Sequence, residues 1–172
     1  MTEHARIDDL RRRVQQDPAS IAFAQLAEEY RRSGHHLEAV DTCRAGLVTH
    51  PEYLSARVTL GRALLALGRI DEAADELQAV LGVASENLAA IRALADARRL
   101  QGRLAEAVTH YTAALTLAPN DPDLERSLAE LAAERQDGQV ATVPDPVRAR
   151  RTVAALERWL EAIHAARTDR HP

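Results

Sequence analysis

Gly34, Gly68 and Gly102 stand 34 residues apart, twice over, and the same interval carries Leu26/Leu60/Leu94, Ala27/Gly61/Ala95, Glu38/Glu72/Glu106, Ala39/Ala73/Ala107 and Leu47/Leu81/Leu115. A strict period of this length belongs to chains made of stacked units, none of which buries its apolar face alone. Within the first unit, Phe23, Leu26, Ala27 and Tyr30 recur at helical spacing ahead of the glycine, and Ala39, Val40, Cys43 and Leu47 recur behind it. Each set forms one apolar stripe on a helix. Two stripes joined by a tight turn must pack antiparallel. The glycine ends the first helix of each unit, where a positive φ is free of steric cost. Pro51 and Pro119 close the second helix, with Ser85 at that place in the middle unit.

The small residues account for the strictness. Ala27, Gly61 and Ala95 are expected where the first helix crosses the second most closely, and Ala39, Ala73 and Ala107 where the second meets the next unit. A larger side chain at such a place costs roughly 1–3 kcal/mol. Two departures stand out. Arg57 takes the place of the large apolar Phe23, and Arg98 that of Tyr30; their stems are expected to cover the core while the guanidinium reaches water.

In frames beginning at Ser20, Leu54 and Leu88, the run Phe23-x-x-Leu26-Ala27-x-x-Tyr30, Gly34, Ala39-x-x-x-Cys43, Pro51 resembles the tetratricopeptide repeat pattern at nearly every keyed place. The resemblance implies an all-α, right-handed solenoid of three full helix-turn-helix repeats (about 20–53, 54–87 and 88–121) with capping helices at both ends. It also implies a surface for peptides in preference to a catalytic pocket. Ile7, Leu10 and Val14 mark a cap helix over 3–16. A fourth first-type helix runs over 122–136 with Leu124, Leu128, Ala129 and Leu131. Asp137-Gly138 opens a linker over 137–145. Asp145 and Pro146 suit the N-cap and first position of a last helix over 146–167, which carries Val153, Leu156, Trp159, Leu160 and Ile163 on one face. This face is expected to cover the open end of the solenoid, the alternatives being a swapped copy or a docked partner.

All 22 Lys-or-Arg residues are arginine, which with abundant alanine suggests a bacterial genome rich in GC. A net charge of -4 gives no support to nucleic-acid binding. One cysteine excludes an internal disulfide. The polar N-terminus has no apolar stretch behind it, and no apolar run reaches membrane-spanning length; the expectation is a cytoplasmic protein, monomer or homodimer, without membrane insertion. His35, His36, His50, His110, His164 and Cys43 form no close pair at ligand spacing. His35 and His36 read as a surface turn. Cys43 reads as core, at the place of Leu77 and Tyr111, and not as a nucleophile. No phosphate loop or nucleophile elbow is present, so the expectation is no cofactor and no enzyme.

By the resemblance, five places of each first helix face a concave groove: Ile21, Ala24, Glu28, Arg31 and Arg32; Ser55, Val58, Arg62, Leu65 and Ala66; Ala89, Arg92, Asp96, Arg99 and Leu100. Five arginines face two acids there. With apolar Val58, Leu65 and Leu100 between the charges, this suits an extended peptide carrying acidic and apolar residues. The alternative is ordinary solvated faces making Glu/Arg pairs along the helix. The dicarboxylate clamp by which family co-chaperones grip heat-shock chaperones needs Lys, Asn and Arg at places that here hold Ala24, Glu28, Thr59, Ala89 and Ala93, and none fits. The function expected is an adaptor or assembly scaffold; the other reading is a non-catalytic subunit that oligomerises or docks on an enzyme through its C-terminal helix.

Overall fold

A computed structural model of the chain describes residues 3–142, which form eight helices: α1 (Glu3–Gln16), α2 (Ala22–Arg32), α3 (His36–Thr49), α4 (Leu54–Ala66), α5 (Ile70–Val83), α6 (Leu88–Leu100), α7 (Leu104–Leu117) and α8 (Pro122–Thr142). The chain divides into two compact units, Met1–Leu131 and Ala132–Pro172, and the three repeats lie in the first. There α2 packs with α3, α4 with α5 and α6 with α7, while α1 lies on α2. This is the all-α repeat solenoid that the period implies.

Each turn between paired helices has one chemistry. Gly34, Gly68 and Gly102 take φ of 79°, 74° and 75°. In the first, the Gly34 N–H donates to the Arg31 carbonyl at 3.2 Å and the His35 N–H to the Tyr30 carbonyl at 2.8 Å. The same two bonds recur from Gly68 and Arg69 to Leu65 and Leu64, and from Gly102 and Arg103 to Arg99 and Arg98. Such a pair of bonds satisfies the last carbonyls of the helix, and its left-handed residue favours glycine. Ser85 closes its repeat as Pro51 and Pro119 do theirs, because the bond that ends each second helix, from Ala84 to Val80 in the middle repeat, comes from the residue ahead of that place.

The core is shared between neighbours and not enclosed within repeats. Ile7 and Leu10 of α1 join Leu26, Val40, Leu64 and Ala73 in one cluster, so the cap helix and two repeats are bound together. At the other end Leu124 and Leu131 of α8 join Ile91, Ala107 and Tyr111. Full burial of a side chain such as Leu64 or Leu77 stabilises by about 1.5–3 kcal/mol.

Close packing sets which volumes fit together. A Cβ added at Gly61 would stand 2.7 Å from Cγ of Leu77 on α5, as expected of a helix crossing. A Cβ at Gly46 would fall inside the Phe23 ring, a contact that the stripe pattern does not reveal. The two positions form a pair that varies together: Phe23 with Gly46, Arg57 with Val80, Ile91 with Ala114. Where the first helix carries a ring at this place, the second carries no side chain.

Two expectations are corrected. Arg98 does not lift its guanidinium into water: its side chain is 10% exposed, and it donates to Gln78 and Gln101, each at 2.9 Å. Neighbouring glutamines, together with the carboxylate of Glu106 at 3.4 Å, meet a charge that would otherwise need solvent. Arg57 lies half-buried, ion-paired with Glu76 at 2.8 Å. The second correction concerns the linker, since α8 does not stop near Gln136 but continues through Asp137 and Gly138 to Thr142. One helical glycine costs only about 1 kcal/mol. The expected C-terminal helix over 146–167, with Val153, Leu156, Trp159, Leu160 and Ile163, lies outside the described residues.

The same substitution should have opposite effects at two helical glycines. At Gly82 nothing lies within 4 Å of an added Cβ, so Gly82→Ala should raise stability by up to about 1 kcal/mol. Gly46→Ala should lower it by roughly 1–3 kcal/mol. Combined with Phe23→Ile, which installs the third repeat's pair, Gly46→Ala should cost less than the two single losses added together. Chemical denaturation of the four variants checks both statements, and an additive double variant would contradict the packing account.

Candidate peptide-binding groove

The first helices of successive repeats, α2, α4 and α6, lie side by side, and two cavities open along them. One, of about 420 Å³, is walled by Ala24, Glu28 and Arg32 of α2, by Ser55, Val58, Thr59 and Arg62 of α4, and by Ala89 of α6. The other, of about 570 Å³, lies between Arg62 and the α6 residues Leu88, Ala89, Arg92, Ala93 and Asp96. Of the expected groove residues, Ile21, Arg31, Leu65, Ala66, Arg99 and Leu100 line neither of these two cavities.

The charges are largely spoken for. Arg31 clasps Glu28 with two bonds of 2.9 and 2.7 Å, and Arg32 adds a third at 3.1 Å. From the next repeat the Thr59 hydroxyl donates to the same carboxylate at 3.2 Å. These bonds, led by that from Arg31, hold the Glu28 carboxyl down at about 2. Arg92 pairs with Asp121 at 2.7 Å and Arg99 with Glu130 at 3.0 Å. Asp96 accepts a short hydrogen bond from the Tyr111 hydroxyl. Pairing along the helix therefore describes Glu28 well, whereas Arg92 and Arg99 reach forward to the α7–α8 turn and to α8. Arg62 differs: among the described residues it makes neither an ion pair nor a hydrogen bond. Partial loss of water and the like charges of Arg31 and Arg32 push it below the usual arginine value.

The apolar groove residues are mostly committed to packing. Val58 is 7% exposed, in a cluster with Leu77 and Leu94, and Leu65 packs against it. Leu100 stays exposed. Several lining residues are absent from the sequence-based set. Arg6 of the cap helix enters the first cavity and pairs with Glu29 at 3.2 Å. Tyr53 and Asn87 enter from the connections ahead of α4 and α6. The period could have found the last two, since Tyr53, Asn87 and Asp121 occupy one place 34 residues apart. Asn87 and Asp121 cap the helix that follows, accepting from the Ala90 and Leu124 N–H groups at 3.0 and 3.2 Å.

Cys43 is fully buried, and burial pushes its thiol up to about 12, the environment of a packing residue. Among the described residues no group of three or more His, Cys, Asp or Glu could hold a metal ion, and no helix is long and apolar enough to cross a membrane.

The family model described as "Tetratricopeptide repeat" matches residues 24–85 and, in an overlapping register, 58–122. The chain belongs to the tetratricopeptide repeat family. A comparison with curated proteins gives no match. Among solved structures, MamA residues 41 to the end from Desulfovibrio magneticus RS-1 is similar with a TM-score of 0.72 at 19% identity, over 91% of this chain and 86% of that one. A thermophilic TPR protein of Thermus thermophilus reaches 0.63 at 24% identity, over 74% and 71%. The first TPR of Spaghetti (RPAP3), bound to the HSP90 peptide SRMEEVD, reaches 0.65 at 18% identity, over 69% and 94%. At these identities the likeness is one of fold. In this tetratricopeptide chain the places of the heat-shock clamp do line the cavities, as Ala24, Glu28, Thr59, Ala89 and Ala93, but without the donors the clamp requires.

Glu28 ties α2 to α4, so its titration should be visible in stability. A carboxyl depressed from 4.5 to about 2 adds stability that is fully present above about pH 4.5 and lost as pH falls toward 2. Thermal melts of the native chain and of Glu28→Gln should differ by a constant amount from pH 5 to 7 and converge between about pH 4.5 and 2. A gap that persists undiminished at the acid end would contradict this role.

Proposed function

We propose that the protein is a non-catalytic adaptor or assembly scaffold of the bacterial cytoplasm, which receives an extended segment of a partner protein along α2, α4 and α6. The observation that carries this reading is the succession of two cavities on one face, sharing the walls Arg62 and Ala89. A segment lying across both would touch all three repeats, and the walls offer side-chain donors and acceptors with little flat apolar surface. Small side chains at Ala24, Ser55, Ala89 and Ala93 leave room for a backbone to approach. A related fold that holds the acidic peptide SRMEEVD supports the mode of binding, but the missing clamp argues for a different ligand. The partner surface is acidic with apolar residues, the latter meeting Leu100, which is 61% exposed.

A partner recovered from the native cytoplasm can be tested against three variants. Ala89→Trp fills the wall common to both cavities and should reduce binding at least about tenfold. Val48→Arg, at an exposed place on α3, should leave binding unchanged. Binding that survives Ala89→Trp and disappears when residues 146–172 are removed would replace this reading with docking or oligomerisation through the C-terminal segment. Isothermal titration, with sedimentation to record the oligomeric state, separates the two.

A further inference from the structure

We infer that Arg62 seats a single carboxylate of the bound segment, so that the groove selects peptides with one central acidic residue and not acidic tracts. This rests on the groove reading above and adds a specificity to it.

Charge on the cavity walls carries the argument. The first cavity is lined by the arginines Arg6, Arg32 and Arg62 against Glu28 and Glu29, a surplus of one positive charge. The second is lined by Arg62 and Arg92 against Asp96, again a surplus of one. Arg62 belongs to both walls, and every other arginine named here has an acidic partner: Arg6 with Glu29, Arg32 with Glu28, Arg92 with Asp121. Among the described residues Arg62 is therefore the one arginine of the two walls without an ion pair of its own.

Glu28 and Asp96 attract that charge, but neither forms an ion pair with it. Glu28 already accepts from Arg31, Arg32 and Thr59, and Asp96 accepts from Tyr111; neither carboxylate makes an ion pair or hydrogen bond with Arg62. The fork of a guanidinium matches a carboxylate with two parallel bonds. One incoming carboxylate neutralises the centre of the groove. A second or third would approach Glu28 and Glu29 in one direction or Asp96 in the other, with no unpaired cation to receive it. Long-range attraction is weak because the whole chain carries a net charge of -4.

A displayed library of short random peptides, panned against the full-length chain, supplies the probe. Groove binders are those lost on Ala89→Trp. Among them one Asp or Glu at a constant position should dominate. Arg62→Gln, which removes no internal bond and should melt as the native chain does, should weaken such a binder about tenfold or more. The Glu-to-Gln change in the peptide should weaken it equally, and the two changes together should cost no more than either alone. Arg62→Lys should restore part of the loss. Groove binders that are neutral, or indifferent to Arg62→Gln, overturn this inference and leave the groove reading standing. Binders that prefer acidic runs overturn the single-carboxylate selectivity. No enriched binder sensitive to Ala89→Trp overturns both.

Discussion

The crossing of paired helices at residues with little or no side chain is the constraint on which the solenoid depends. Where Gly61 meets Leu77, the backbones approach until a single Cβ would stand 2.7 Å from the opposing side chain. That approach sets the angle at which each repeat hands the chain to the next. A repeat array accumulates such angles, so an error at one crossing is carried into the placement of all later first helices. The groove exists because α2, α4 and α6 are delivered side by side by three equivalent crossings.

Equivalence of backbone does not require equivalence of side chains. The first repeat fills its outer contact with Phe23 over Gly46, the third holds Ile91 and Ala114 in one cluster, and the second has Arg57 and Val80 at those places and pairs the guanidinium with Glu76. The first and third repeats trade a large residue on one helix against a small one on the other, as close-packed interiors demand. Such trades release individual positions for other work. Arg98 is a similar case, held beneath the surface because Gln78 and Gln101 provide acceptors that a purely apolar neighbourhood would lack.

How much of this can be read from the residues follows from the range of the forces involved. The turns are legible because a positive φ at Gly34, Gly68 and Gly102 is a local demand of the backbone. The helices and cores are legible because burial follows a helical period. The pairing of Arg92 with Asp121 and of Arg99 with Glu130 is not, since the acids stand 29 and 31 residues ahead in the α7–α8 turn and α8, where the repeat breaks off. The contact of Gly46 with Phe23 is also hidden: a mid-helix glycine reads as a weak point until its column is set beside that of its neighbour. α8 runs past the place that Asp137-Gly138 suggests, because one helical glycine is a small cost to a helix already under way.

The same reasoning explains why Arg62 stands apart. In the first repeat a groove arginine finds an acid one turn away on its own helix, and in the third the chain beyond the repeats supplies Asp121 and Glu130. The middle helix has neither resource. Its neighbours are two other groove helices whose acids are already engaged, and no acidic residue lies three or four positions from Arg62 on α4. Keeping an arginine there costs part of its hydration and sets repulsion from Arg31 and Arg32 against attraction from Glu28 and Asp96, whereas a glutamine would break no internal bond. A charge that makes no ion pair or hydrogen bond within the described residues is accounted for by something that arrives from outside, and the two cavities it divides are the space in which that would lie.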